Sequence, residues 1–135
     1  MTVRQGDLFA PEPGKVVVPA DLWDRLARSA FRSKFSLDQA DRAYLRQKGL
    51  DTVMEHGRDF IARRLAPAQP ARDGRQTPWK GHPIFVAQHA TGTCCRSCLQ
   101  KWHGLPKGRA LDPAEQQQVL AALAEWLRRE LRKHP

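Results

Sequence analysis

The 135-residue chain has no apolar run approaching the ~20 residues that a membrane-spanning helix needs. Its longest aliphatic stretch near the start, Val16-Val17-Val18, is closed off by Pro19 and follows an acidic, proline-containing leader, so it cannot form the core of a signal peptide. A cytoplasmic protein with no membrane partner is expected. There are no internal repeats, which removes solenoids and propellers. Cysteine is scarce and odd in number: three residues crowd into Cys94-Cys95-Arg96-Ser97-Cys98, a poor disulfide framework. In a reducing compartment they are thiols, metal ligands or redox groups. Acid is nearly missing from the middle of the chain, where residues 67–111 hold seven basic side chains and one acidic one, Asp73.

What is present is ordinary for a globular protein. Hydrophobic residues are 41% and charged residues 27%, which argues against wholesale disorder, and the length suits one domain with its own core. The net charge is +9, of which the middle segment supplies +6. Residues 1–66 add +3 (12 basic, 9 acidic), and residues 112–135 balance four against four. A cationic segment containing Trp79 and Trp102 suits a phosphate-bearing partner, with rings free to stack on bases. The expected nucleic-acid contacts are Arg72, Arg75, Lys80, Arg96, Lys101, Lys107 and Arg109. The alternative is a solvated basic surface with no partner.

Residues 1–20, rich in proline and glycine, read as a flexible tail. Residues 21–66 read as helices. One covers about residues 21–35, with Leu22, Trp23, Leu26, Ala30 and Phe31 at helical spacing. A second starts near Leu37 and ends at Gly49, and a third starts with Asp51 as N-cap and is stopped by Pro67. Gly57 inside the third costs some stability. Residues 67–83 are loop, and Ile84-Phe85-Val86-Ala87 fits a short strand or a helix start equally well. A short helix is expected from Cys95 to His103. The last, over residues 112–134, opens with Asp112-Pro113-Ala114-Glu115, which supplies N-cap, first-turn proline and capping-box acid. The fold expected is mainly α: a small helical domain over residues 21–135 around a Cys/His site, with at most a short strand pair.

The chemistry concentrates in the basic segment. Cys95-x-x-Cys98 lets two thiolates grip one ion from a tight turn, and His82, His89 and His103 flank it. Two thiolates and two of these imidazoles make a tetrahedral zinc site, and Cys94 is a spare donor. Both cysteines can ligate one ion best if they sit in the turn before the helix. Other readings stand beside this one. Cys94 or Cys95 can be a reactive nucleophile, with Cys95 near a helix N-terminus beside Arg96 and His89 as base. An iron–sulfur cluster wants four thiolates, one more than the segment has. Buried, inert thiols are the plainest case. His56 and His134 are expected on the surface, and Trp23 and Trp126 in the core.

Several strings carry a family resemblance. They include Ser33-Lys34-Phe35, Arg64-Leu65-Ala66-Pro67-Ala68 and Gln76-Thr77-Pro78. The densest run extends from Gly81-His82-Pro83 through Gln88-His89-Ala90-Thr91, Cys94-Cys95-Arg96 and Lys101-Trp102-His103 to Pro106-Lys107-Gly108. In these the chain resembles an uncharacterised bacterial and phage family, domain of unknown function 4186. That likeness implies kinship and no particular activity. In the tail, Gln5-Gly6-Asp7-Leu8-Phe9 resembles the pentapeptide by which bacterial polymerases and repair proteins dock on the DNA sliding clamp. Such peptides bind extended, with the leucine and phenylalanine in an apolar pocket. The alternative is that Leu8 and Phe9 pack on the domain's own core.

The expectation drawn from these signals is a DNA-associated, zinc-binding protein of replication or repair, tethered to the clamp through Gln5, Leu8 and Phe9, with catalysis left open. A cysteine-dependent or redox enzyme on a small anionic substrate, and a structural metal-stapled interaction module, are the alternatives.

Overall fold

A computed structural model describes residues 18–135, and no strand occurs among them. The chain is mainly helical. Among the described residues seven α-helices follow one another: α1 (Leu22–Arg28), α2 (Ala30–Ser33), α3 (Gln39–Lys48), α4 (Leu50–Phe60), α5 (Pro83–Thr91), α6 (Arg96–His103) and α7 (Pro113–Lys133). A π-helical turn, Ile61–Leu65, prolongs α4. None of these helices is long and apolar enough to cross a membrane.

The first expected helix is broken in two. Ser29 takes an extended conformation (φ −86°, ψ 118°), and its hydroxyl accepts the Arg32 N–H at 3.0 Å, capping α2. A hydroxyl that competes for backbone N–H groups overrode the apolar spacing. The break matters because Arg32, on α2, is buried. Gly49 ends α3 and starts α4 at φ +88°, so Asp51 lies in the first turn of α4 and is not its cap.

Helix α5 runs through the middle and packs against α2, α3, α4 and α7. All nine of its residues are buried. With no solvent face there is no amphipathic period to read, which is why the sequence left residues 84–87 undecided between strand and helix. Its start is nonetheless specified. Pro83 occupies the first turn, and the His82 Nδ1 accepts the Ile84 N–H at 3.0 Å. Gly57 of α4 faces it, and a Cβ there would stand 2.8 Å from Ile84 Cδ1. The glycine's cost in helix propensity is thus offset by close packing of α4 on α5. Helix α7 forms the capping box read from its sequence, and it lays Val119, Leu120, Leu123 and Leu127 on the main core with Leu45, Val53, Ile61, Ile84 and Leu99. A smaller cluster of Leu22, Leu26, Trp102 and Ala122 ties α1 to α6 and α7. Trp126 is buried as expected, while Trp23 is half-buried under Arg129 at 4.1 Å.

Candidate metal centre

Between α5 and α6 the chain turns tightly. Gly92 ends α5 in the left-handed region (φ +73°), and a Cβ there would lie 2.6 Å from the Trp102 ring, so the turn closes only on glycine. Thr77 Oγ1 donates to the Cys94 carbonyl at 2.8 Å, pinning the loop before α5 to this turn. Cys95 is the extended residue that caps α6 (φ −158°, ψ 171°), and Cys98 lies in the first turn of α6. The result is that the Sγ atoms of Cys94, Cys95 and Cys98 all lie within 4.8 Å of one another, a group of donors that could hold a metal ion. Cys94, taken from the sequence as a spare, stands with the other two.

Arg32 reaches this group from α2. Its Nη2 donates to Cys98 Sγ at 3.0 Å, and its Nη1 to Cys94 Sγ at 3.6 Å and to the His89 carbonyl at 2.7 Å. It makes no ion pair with a carboxylate among the described residues. The sequence reading missed it, since it lies more than sixty residues from the cysteines and beyond any local motif. Its charge adds to what the thiols do to one another. A hydrogen bond from Cys98, outweighing burial, and then Arg32 hold Cys94 down at about 7. Cys98 is pushed up, first by its bond to Cys94 and then by burial, so the pair gives up one proton readily and resists losing the second. Burial raises Cys95.

The three cysteines line a cleft of about 570 Å³ together with Arg32, His89 and Trp79. His89 is buried, and its ring stacks on Trp79 at 4.1 Å and, beside it, on Phe35 at 5.6 Å, these two being 6.2 Å apart. Its Nε2 faces two acceptors, the carbonyls of Thr77 (3.3 Å) and Pro78 (3.2 Å), so that nitrogen carries the proton. The Nδ1 is then a bare lone pair, buried and without a partner. Burial holds the His89 pKa below its ordinary value, which keeps the ring neutral. This is how a histidine ligand is commonly set, with the distal N–H on a backbone carbonyl, although no imidazole nitrogen joins the sulfur group itself.

The family profile described as Domain of unknown function (DUF4186) matches residues 20–128. The chain belongs to this family. No solved structure matches it. The stretch shared with DUF4186 contains the three cysteines, Arg32, His89 and Trp79, and leaves residues 5–9 outside.

The remaining expected site residues of this DUF4186 chain are dispersed. His82 stands at the far end of α5, its Nε2 3.1 Å from His56 Nδ1 in a nest of Tyr44, Phe60 and Phe85. His56 is therefore half-buried and not a surface residue, while His134 is exposed. His103 is buried with its Nε2 2.8 Å from the Thr91 carbonyl. Neither His82 nor His103 belongs to the sulfur group.

The basic residues divide in the same way. Arg96, expected to meet phosphate, is 1% exposed, and its guanidinium donates to the carbonyls of Leu65, Ala66, Pro67, Pro106 and Arg109. It fastens two segments, residues 65–67 and 106–109, to α6 and is not available to a ligand. Arg109 is paired with Glu115. Arg72, Arg75, Lys80, Lys101 and Lys107 are exposed. Asp73 is held by Gln76 Nε2 (3.0 Å) and the Arg96 N–H (3.3 Å). The clamp-like residues Gln5, Leu8 and Phe9 lie outside the described residues.

Proposed function

We propose that this chain is a zinc-binding, nucleic-acid-associated protein of replication or repair, with Cys94, Cys95 and Cys98 as ligands. The observation that carries the metal reading is three sulfurs within 4.8 Å of one another beside a buried guanidinium that has no carboxylate partner among the described residues. Three thiolates around a divalent ion leave one net negative charge, and Arg32 provides the matching positive charge. Thiolate donors favour zinc over magnesium or calcium. Three protein donors leave one position of a tetrahedral ion to water or another ligand, and His89 is the neighbouring side chain prepared to accept that role or to bond the occupant. No carboxylate lines the cleft, so the reading stops at binding and does not extend to metal-assisted hydrolysis.

Elemental analysis of protein purified without chelator tests it: about one zinc per chain is expected. Cys98→Ser should lower both metal content and melting temperature, because binding energy at such a site is folding energy. A metal-free parent, with Cys98→Ser as stable as wild type, would remove the reading.

The nucleic-acid part is supported by the +9 net charge and by the exposed arginines and lysines of residues 67–111. Affinity should fall steeply with salt, and Lys101→Ala and Lys107→Ala should each flatten the slope. Tethering to the sliding clamp rests on Gln5, Leu8 and Phe9. A peptide of residues 1–12 should compete with the clamp's own docking peptides, and Leu8→Ala with Phe9→Ala should abolish that competition while leaving the domain's melting temperature unchanged.

A second reading, a cysteine-dependent enzyme, is favoured by Cys94, whose pKa near 7 and proximity to Arg32 suit a nucleophile. It requires metal-free protein in which iodoacetamide alkylates Cys94 at neutral pH, the sulfur taking the carbon and iodide leaving. Slow alkylation relieved only by chelator supports the metal reading instead.

A further inference from the structure

Phe31 and Trp79 are the two large apolar side chains exposed among the described residues, at 41% and 63%, and both line the thiol cleft. The Trp79 ring is not loose. One face stacks on the buried His89 ring at 4.1 Å and 13°, and Phe31 braces it edge-on at 6.3 Å. A large ring held flat against a buried partner with much of its surface in water is a platform for another ring.

A second concavity of about 480 Å³ adjoins the cleft, sharing Arg75 and Pro78 with it, and is walled by Arg63, Arg64, Arg72 and Arg75. Arg63 is paired with Asp59, and Arg64 lies over the Phe60 ring at 4.9 Å. Arg72 and Arg75 have no carboxylate or ring partner among the described residues. They are nevertheless placed with care. The Arg75 N–H donates to the Arg72 carbonyl at 2.8 Å, the Gly74 N–H to Gln76 Oε1 at 2.8 Å, and Gln76 in turn grips Asp73, which also receives the Arg96 N–H. Arg72 itself adopts φ +60°, the left-handed region that favours glycine. An arginine kept in a glycine's conformation, on a turn locked by the side chains of Gln76 and Asp73, has its backbone set ahead of any ligand while its guanidinium stays open to solvent.

Two unpaired guanidiniums lining one concavity select a phosphate, and a ring platform beside them selects a planar heterocycle. We infer that Arg72 and Arg75 together with Trp79 form one subsite for an unpaired nucleotide, its phosphate on the arginines and its base on the Trp79 ring. A duplex keeps its bases stacked inside and cannot offer a ring to Trp79, so the ligand is a single strand or a free nucleotide. The inference rests on the nucleic-acid part of the proposed function and is independent of the metal.

The test uses the full chain as purified, with zinc content measured on the same samples. A fluorescently labelled oligothymidylate is titrated against protein, and an unlabelled duplex of equal length and thymidine monophosphate serve as competitors. The labelled strand should bind, with the duplex competing more weakly. Trp79→Ala should weaken binding about tenfold or more, the scale of one lost base–ring stack. Arg75→Ala and Arg72→Gly should each weaken it several-fold. Arg72→Gly is the decisive variant, because glycine suits φ +60° and the melting temperature should not fall. Thymidine monophosphate competing as well as the strand would assign the subsite to free nucleotides. A duplex that competes as well as or better than the strand would overturn the inference while leaving DNA association intact. Wild-type affinity in Trp79→Ala and Arg72→Gly, or no binding of strand and mononucleotide alike, would also overturn it, whatever the zinc content.

Discussion

Arg96 and Arg32 are both buried, 1% and 8% exposed, and neither meets a carboxylate in an ion pair among the described residues. They differ in what surrounds the guanidinium. Arg96 faces five backbone carbonyls from two segments, residues 65–67 and 106–109, all neutral dipoles. Burial lowers its pKa, and the charges of Asp73 and Glu115, neither of them in contact with the guanidinium, do not make up the loss. At Arg32 burial pulls in the same direction, but the hydrogen bonds and charge of Cys94 and Cys98 outweigh it and raise the pKa. One arginine is a bolt. The other is half of a charge pair whose second half exists only when the thiols ionise. A buried cation is thus no sign of function by its own presence, and the nature of its acceptors separates the two roles.

Breaking the bolt should have the largest effect. Arg96→Met keeps much of the volume but leaves several buried carbonyls without a donor, at a cost of about 3–5 kcal/mol, enough to threaten folding altogether. Lysine should rescue little, because one ammonium cannot replace a planar fork that spans five acceptors. Chemical denaturation checks this, and the loss should be the same with zinc or with chelator present. Arg32→Met should behave otherwise. In the metal-loaded protein it removes the counter-charge of the thiolate group and should lower zinc affinity about 10–100-fold, as loss of an outer-shell partner does. In chelated protein the thiols can take up their protons, and the same substitution should cost about 1–3 kcal/mol, chiefly for the buried His89 carbonyl that loses its donor. If both arginines show costs that ignore the metal, Arg32 is a second bolt and the contrast disappears.

Much of the helical architecture was legible because it is local. The capping box of Asp112 and Glu115 and the stop at Gly49 are signals a few residues long that the structure retains. One element was misread and one left undecided, each for a physical reason. Ser29 captures a backbone N–H that the apolar spacing had assigned to a continuous helix, and α5 is buried on every side, which erases periodicity. At the candidate site, Cys95-x-x-Cys98 was readable as a spacing, and the turn before α6 brings Cys94 to it. Arg32 and the Arg63–Arg64 wall of the neighbouring concavity were not, since only tertiary packing brings them near. Arg96 was misassigned because a sequence shows that a residue is charged and not which way it points.

His82 sharpens the same contrast from the opposite side, as a half-buried base that stays uncharged. Its Nδ1 accepts the Ile84 N–H, so the neutral ring carries its proton on Nε2, directed at His56 Nδ1. Adding a proton at Nδ1 would break the cap of α5. Burial and then the neighbouring His56 lower the His82 pKa from 6.5 to about 4. Because the folded value lies below the unfolded one, the unfolded chain takes up the proton first as pH falls. The contribution to stability is therefore complete above about pH 6.5 and is lost progressively toward about pH 4. With the ring only half-buried, about 1–2 kcal/mol is the expected loss over that window. His82→Asn keeps an acceptor for the Ile84 N–H, since asparagine is a good N-cap, and removes the titration. At neutral pH it should be slightly less stable than wild type, because it gives up the packing against Phe60 and Phe85. Urea midpoints measured from about pH 7 to 4.5 should then converge or cross as wild type weakens faster. A constant gap between the two curves would mean that His82 takes its proton in the folded state as readily as in the unfolded chain, and that burial alone, without the cap at Nδ1, does not keep this base neutral.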